Sequence, residues 1–323
     1  MGVSEDVEKV LSKYRLFSLD DSSCFLCGSS DSLTREHVFP KWLQKAHSLW
    51  DKKIYLLNKT QITYRSLTIP CCQRCNGVYL SKLESKVNSS LQAGFDAANQ
   101  ISPFEWYLWG AKILYGQLRK ECSLPIDRAN KDQGSIMNRE HLTKYFFMIH
   151  LSLQAIREKV YFSSDSARHF SVIVLKINNH DDSQFDYRDN TFCCTSSIIV
   201  NGVGIIIAYE DNSLVESLFE KEIQEFTNKG ITFRQFRELY GNINYVCYRQ
   251  STPTYVYSCD VNGEREMSIE CYGGNHLSEY SPELHLSFLL ESLGEFFTEK
   301  QIEEFLKTKT IPSFMYDSDW NII

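Results

Sequence analysis

The chain contains no run of about 18 consecutive apolar residues, so no membrane span is expected. Its first residues carry Glu5, Asp6 and Glu8 and lack the apolar core of an export signal, so secretion is not expected either. The same stretch, with Val7, Val10, Leu11 and Tyr14, reads as a short amphipathic helix. No repeat of fixed period and no low-complexity tract stands out, which argues against a solenoid or a disordered chain. Positive charge is also short, since 34 Lys and Arg against 41 Asp and Glu leave a net charge of −7. Spread evenly, that balance would disfavour nucleic acid as a partner. At 323 residues, 43% hydrophobic and 23% charged, the composition is that of an ordinary globular protein with room for two domains.

The charge is not even. Residues 33–86 hold ten Lys and Arg (Arg35, Lys41, Lys45, Lys52, Lys53, Lys59, Arg65, Arg74, Lys82 and Lys86) against Glu36, Asp51 and Glu84. A local basic surplus of this kind suits a phosphate backbone. Cysteine clusters in the same region: five of the 11 fall between residues 24 and 75, and the others are scattered through apolar stretches. With no export signal the expected location is the cytoplasm, where thiols stay reduced and close cysteine pairs indicate metal rather than disulfides.

The organisation expected is α+β, with a module over residues 1–100 and a larger α+β domain over 101–323. Ser102-Pro103 looks like an N-cap with proline at the first helical position, opening an aromatic-rich helix over 104–120. The three-four spacing of Leu142, Tyr145, Phe146, Ile149, Leu153, Ile156 and Val160 predicts one helix over 139–160. Strands are expected at 170–177, 191–200 and 203–209, the last two joined by the hairpin signal Asn201-Gly202. Cys193-Cys194 falls inside the second of these strands. Ser213 and Glu216 read as a capping box for a helix ending near Gly230. A hairpin turning at Asn262-Gly263 and a helix pair over 282–307 close the chain.

Cys24-Phe-Leu-Cys27 and Cys72-Gln-Arg-Cys75 are two CxxC knuckles. Four thiolates so arranged suit a tetrahedral structural zinc ion, which can supply on the order of 10 kcal/mol of folding energy to a module with a thin core. Cys71 reads as packing or as support for the ligands. Between the knuckles lies Arg35-Glu36-His37-Val38-Phe39-Pro40, and Asn76 directly follows the last of the four cysteines.

The joint pattern of C-x-x-C, E-H-[IV]-x-P, C-x-x-C-N and a later glutamate resembles the HNH nucleases of the ββα-metal type, over about a fifth of the chain. The resemblance implies a metal-dependent endonuclease hydrolysing phosphodiester bonds of DNA, with RNA left open. It implies His37 as general base, Glu36 and Asn76 as oxygen ligands of one Mg²⁺ or Mn²⁺, and a separate structural zinc. A two-strand hairpin would carry Glu36 and His37, and the following helix would start near Asn76. Glu84, eight residues on and rotated by about 80°, would orient the site or reach the metal through water, or else be a solvated helix residue. Arg74 and Lys41 are candidates for phosphate contact. One departure stands out. The family's central asparagine, which holds the loop of the base, is absent from residues 65–70, leaving Ser66, Thr68 or Asn58 to take its place. Residues 41–63, with Trp42, Trp50 and Tyr55, read as a helix and loop packing over the site. The remaining histidines, among them His141, His150, His169, His180, His276 and His285, show no ligand spacing.

Two other readings compete with the nuclease. A zinc ribbon could grip nucleic acid without cutting, but such a binder has no need of Glu36, His37 and Asn76 together. Alternatively the acidic region 101–323 could bind a protein partner, a small ligand or a second copy of the chain, and mask the basic module. Target recognition, sensing or oligomerisation are the roles expected of that region, by analogy with bacterial restriction and anti-phage effectors.

Overall fold

The computed structural model describes residues 22–157, 159–162, 168–178, 185–259, 266–319 and 321–323. The helix expected at Val7 to Tyr14, His180 and the Asn262-Gly263 turn lie outside them. The protein is α+β and divides into two units. The division is not a cut at one point of the chain: Leu108–Tyr161 belongs with Met1–Ser89, and Ser90–Tyr107 with Phe162–Val256.

The first unit is built on a two-stranded ladder. Strand β1 (Leu33–His37) leads to helix α1 (Lys41–Ala46) and a small hairpin of β2 (Lys53–Tyr55) and β3 (Gln61–Thr63). Strand β4 (Thr68–Cys72) then returns antiparallel to β1, with Arg35 opposite Pro70 and His37 opposite Thr68. From Cys72 the chain turns straight into a wide π-type turn, Cys75–Leu80, that continues as α2 (Ser81–Ala93). Helix α3 (Pro103–Glu121) opens as expected, with Ser102 Oγ accepting from Glu105 N at 3.2 Å. Lys112 and Gly116, one turn apart on α3, face the ladder. A Cβ on Gly116 would stand 3.2 Å from Val38 Cγ2 and 3.3 Å from Ile69 Cδ1, so its absence lets the helix press onto β1 and β4.

The single helix expected over 139–160 is broken. Helix α4 (Arg139–Tyr145) ends at Phe146 (φ −119°, ψ 20°), helix α5 (Phe147–Leu153) follows, and Lys159–Phe162 is strand β5. Residues 148–153 are all buried, including His150 and Ser152. One continuous amphipathic helix would turn half of them to solvent, whereas a break at Phe146 lets α5 be enclosed on every side.

The second unit centres on a five-stranded sheet. Strands β6 (Ser171–Asn178), β7 (Phe185–Asn190), β8 (Thr195–Val200), β9 (Val203–Ala208) and β10 (Ile231–Thr232) lie in the order β10-β6-β9-β8-β7. The pairs β6–β9, β9–β8 and β8–β7 are antiparallel, and β10 joins β6 in parallel. Asn201-Gly202 makes the expected two-residue turn, with φ of 50° and 75°. Residues 191–194 are not strand. They form the β7–β8 turn, in which Asn190 Oδ1 accepts from Phe192 N (3.1 Å) and Cys193 N (3.0 Å), so Cys193 and Cys194 sit in a side-chain-capped loop. Nor is there a capping box at Ser213, which has a left-handed backbone (φ 60°) and donates to Arg168 O at 2.8 Å. Glu216 accepts from Val172 N, and Asp211 Oδ2 takes over the cap by accepting from Val215 N at 2.8 Å.

Helices α6 (Leu214–Leu218) and α7 (Glu220–Lys229) follow, the latter ending at Gly230 as expected. Helix α8 (Phe233–Arg249) opens with a Thr232–Gln235 capping box, and its Phe236, Leu239 and Ile243 pack with Leu175, Ile199 and Ile206 of the sheet. The strands expected around the last hairpin are Thr254–Cys259 and Glu266–Tyr272, and the closing helices are Pro282–Leu293 and Glu299–Thr308.

Gly204 marks where α8 presses hardest on β9. A Cβ there would fall 2.5 Å from Phe236 Cε2 and 2.7 Å from Ile177 Cδ1. Gly204→Ala is therefore expected to cost about 1–3 kcal/mol through overpacking, seen as a lower denaturant midpoint at unchanged slope. An unaltered midpoint would show that the ring and the methyl yield without strain.

Candidate functional site

The four knuckle cysteines converge in the first unit. Cys24 and Cys27 occupy a turn closed by Gly28 N on Cys24 O and Cys24 N on Ser29 O, both at 2.8 Å. Phe25 N donates to Pro70 O at 2.9 Å, which ties this turn to β4. Cys72 ends β4, and Cys75 opens the π-type turn. The four sulfurs lie within 4.8 Å of one another, and among the described residues this is the one group of three or more His, Cys, Asp and Glu side chains so placed. Cys27 Sγ stands 3.7 Å from Cys72 Sγ. A metal–thiolate bond of about 2.3 Å sets the sulfurs of a tetrahedral site about 3.8 Å apart, while a disulfide needs about 2.0 Å. The group can thus hold a metal ion such as zinc.

Its electrostatics point the same way. Sulfur hydrogen bonds from Cys27, Cys71 and Cys75 draw Cys24 well below the usual thiol range. Its partners are driven up in return, Cys27 to about 11 through its bond to Cys24. Four facing thiols cannot ionise together unless a cation stands among them, and a divalent ion lowers all four at once. Cys71, 3.9 Å from Cys24 through sulfur and fully buried, packs beside the group rather than in it.

Two buried polar groups brace the first knuckle from α5 and the turn after it. His150 Nε2 donates to Phe25 O at 3.0 Å, and Gln154 Nε2 donates to Leu26 O at 3.0 Å. Burial pushes the His150 pKa down to about 4, so the ring is neutral at ordinary pH and stacks on Tyr115 at 5.0 Å. Holding ligand-bearing backbone in place is work done around many metal sites. In the sequence His150 showed only the absence of ligand spacing.

His37 closes β1 and is half-buried, its ring stacked on Trp50 with centroids 5.6 Å apart and planes at 21°. Burial first, then the nearby cations Lys41 and Lys112, lower its pKa against the opposing pull of Glu36. The imidazole is therefore neutral near pH 7, the state a general base requires. Trp50 comes from the segment after α1, so residues 41–63 do reach His37. Trp42 instead stacks on Trp109, and Tyr55 is exposed.

The centre of the site is a residue the motifs did not indicate. Lys112 is 1% exposed, and its Nζ lies 2.7 Å from Glu36 Oε1 and 2.8 Å from Glu84 Oε1. It also donates to His37 O at 2.6 Å and Val38 O at 3.0 Å. Burial alone would lower the ammonium pKa, but the two carboxylates outweigh it and hold the group charged above the usual lysine value. Burial raises the Glu84 pKa, with Lys112 opposing. Glu84 is thus an ion-pair partner of Lys112 rather than a solvated helix residue. The backbone at His37 is held by Lys112, in the absence of an asparagine at residues 65–70. Of the substitutes considered, Ser66 bonds Thr63 (2.8 Å), Asn58 bonds Thr60 and Ile126 O, and Thr68 faces His37 across the ladder. A signal for Lys112 did exist: it is the sole charge in the apolar run from Trp106 to Leu118.

Asn76, half-buried in the π-type turn, donates from Nδ2 to Thr34 Oγ1 at 3.0 Å, and Thr34 Oγ1 donates to Cys71 O at 2.7 Å. Thr34 and Glu36 alternate onto the same side of β1, about 7 Å apart along the strand. Asn76 and Glu36 are thus brought to one face, each with its own partner. Lys41 lies close enough to depress His37, and the Arg74 guanidinium lies 5.6 Å from the centre of the Tyr79 ring.

No family model matches this chain, and neither a curated protein nor a solved structure matches it.

Removing one partner of a buried ion pair leaves the others uncompensated, at about 3–5 kcal/mol. Lys112→Met is expected to destabilise the protein by that order in denaturant unfolding. Adding Glu36→Gln and Glu84→Gln to it is expected to restore part of the loss. A Lys112→Met protein as stable as the wild type would mean that the ammonium is not the hub of this cluster.

Proposed function

We propose that this protein is a metal-dependent endonuclease of the HNH, ββα-metal kind that hydrolyses phosphodiester bonds of DNA. The observation that carries this reading is the adjacent pair Glu36 and His37 at the end of a two-strand ladder, with Asn76 in the turn that leads into the following helix, beside a four-cysteine group that can hold a metal. In this reading the cysteines hold a structural zinc ion. Glu36 and Asn76 would hold one Mg²⁺ or Mn²⁺ through hard oxygen atoms. When bound, that ion would supply positive charge for the phosphate oxygens and make water easier to ionise. The chain's own residues do the rest: a His37 ring nitrogen takes the proton of the attacking water, Trp50 fixes the ring plane, and Lys112 fixes the backbone beneath it. Glu84 acts through Lys112. The location in this reading is the cytoplasm, and the second unit recognises a target, senses a trigger or pairs with another copy, as in restriction and anti-phage effectors.

One observation favours a second reading, a zinc ribbon that binds nucleic acid without cutting it. Glu36 Oε1 is committed to Lys112, which leaves one oxygen of that carboxylate for a metal.

Plasmid cleavage in Mg²⁺ and in Mn²⁺, wild type against His37→Ala, decides between them, with zinc content measured in both. One zinc per chain and metal-dependent nicking that is lost in the variant are expected. Removal of zinc by a strong chelator should unfold the first unit. Because the His37 pKa is lowered, cleavage should hold from neutral pH down through the ordinary histidine value near 6.5 and fall only below it. Undiminished cutting by His37→Ala would remove the assigned base, and zinc-bound protein that binds but never cuts DNA would favour the second reading.

A further inference from the structure

A cavity of about 420 Å³ opens against the outer part of the ladder, where Arg35 and Thr68 meet Arg119 and Lys120 from the last turn of α3. We infer that it is a phosphate-binding subsite that seats the backbone of a polynucleotide next to the cutting position. The identity of the ligand rests on the nuclease reading, but the site itself rests on its own geometry.

Three cationic side chains line the cavity, and no acidic one is among its lining residues. They differ in setting. Arg119 is almost fully buried in the wall, Lys120 is half-buried, and Arg35 is exposed at the mouth. Arg119 and Lys120 also offset the partial negative charge at the end of α3, but Arg35 comes from a strand and has no such role. Three cations around one cavity, with no carboxylate in its lining, give it a positive field that suits an anion with several oxygens.

The place of the cavity along β1 connects it with His37. Thr68, which lines it, stands directly opposite His37 in the ladder, and Pro70, which also lines it, stands opposite Arg35. Arg35 and His37 alternate onto one side of β1, about 7 Å apart. A strand whose scissile phosphate lay at His37 would pass a neighbouring phosphate across Arg35 toward Lys120. Such a phosphate carries no base information, so holding it would set register and affinity rather than sequence preference.

The test uses the full-length His37→Ala protein, which keeps the nucleic acid intact, and a short labelled DNA duplex over a series of salt concentrations. Arg35→Gln with Lys120→Gln is expected to weaken binding about tenfold and to lower the slope of log affinity against log salt by about two, one for each phosphate that is no longer neutralised. Lys52→Gln with Lys53→Gln removes equal charge from the same basic stretch but outside the cavity, and is expected to lower affinity and slope less. Equal weakening in the two double variants, or none in the first, would overturn the subsite. Inorganic phosphate that binds the parent but not the first double variant, with duplex affinity unchanged, would overturn the polynucleotide assignment. If wild type cuts no DNA in Mg²⁺ or Mn²⁺ while duplex binding still depends on Arg35 and Lys120, the subsite stands and the nuclease reading falls.

Discussion

An ammonium group taken out of water must be met by opposite charge and by acceptors for all its protons, or the fold cannot keep it. Lys112 meets that demand with carboxylates from β1 and α2 and two carbonyls at the end of β1. One atom of α3 thereby fixes where a strand ends and where a second helix lies. The position of His37 follows from this, because the carbonyl of the proposed base is itself one of the four acceptors. The lysine also explains the approach of α3, since Gly116 must be small for the helix to come near enough to deliver it.

The cysteine cluster depends on the same ladder. Cys72 is the last residue of β4, and the Cys24–Cys27 turn hangs from Pro70 O by a backbone hydrogen bond. His150 and Gln154 secure the other carbonyls of that turn. A metal bound among the sulfurs would therefore clamp the ladder at the end remote from His37. The ladder is then held at one end by a cation shared among thiolates and at the other by a cation shared among carboxylates.

Much of this was legible in residue order. Spacing of two residues between cysteines limits each pair to a tight turn facing one centre, so the tetrahedral group could be read before any tertiary structure. Ser102-Pro103, Asn201-Gly202 and Gly230 carry their conformations locally and were read correctly. The failures share a cause. The break at Phe146 was invisible because the three-four spacing runs through it, and only the demand to enclose residues 148–153 interrupts the helix. Ser213 has the residue type of a cap, but its neighbours Arg168 and Asp211 decided which side chain plays that part. Cys193 and Cys194 looked like strand because they are apolar, yet the side chain of Asn190 folds them into a turn.

The sequence by itself determined the chemistry of this protein's groups: four thiols in two knuckles, a carboxylate and an imidazole side by side, an amide after the last cysteine, and a local excess of positive charge. Those properties are written in short spans, where a few covalent bonds dictate what can meet. Tertiary structure alone decided which charges neutralise one another. Lys112 lies 76 residues from Glu36 and 28 from Glu84 along the chain, and no local rule ties such distant positions together. What joins them is the energy of desolvation, which acts only once the helix is packed against the ladder and water has been driven out.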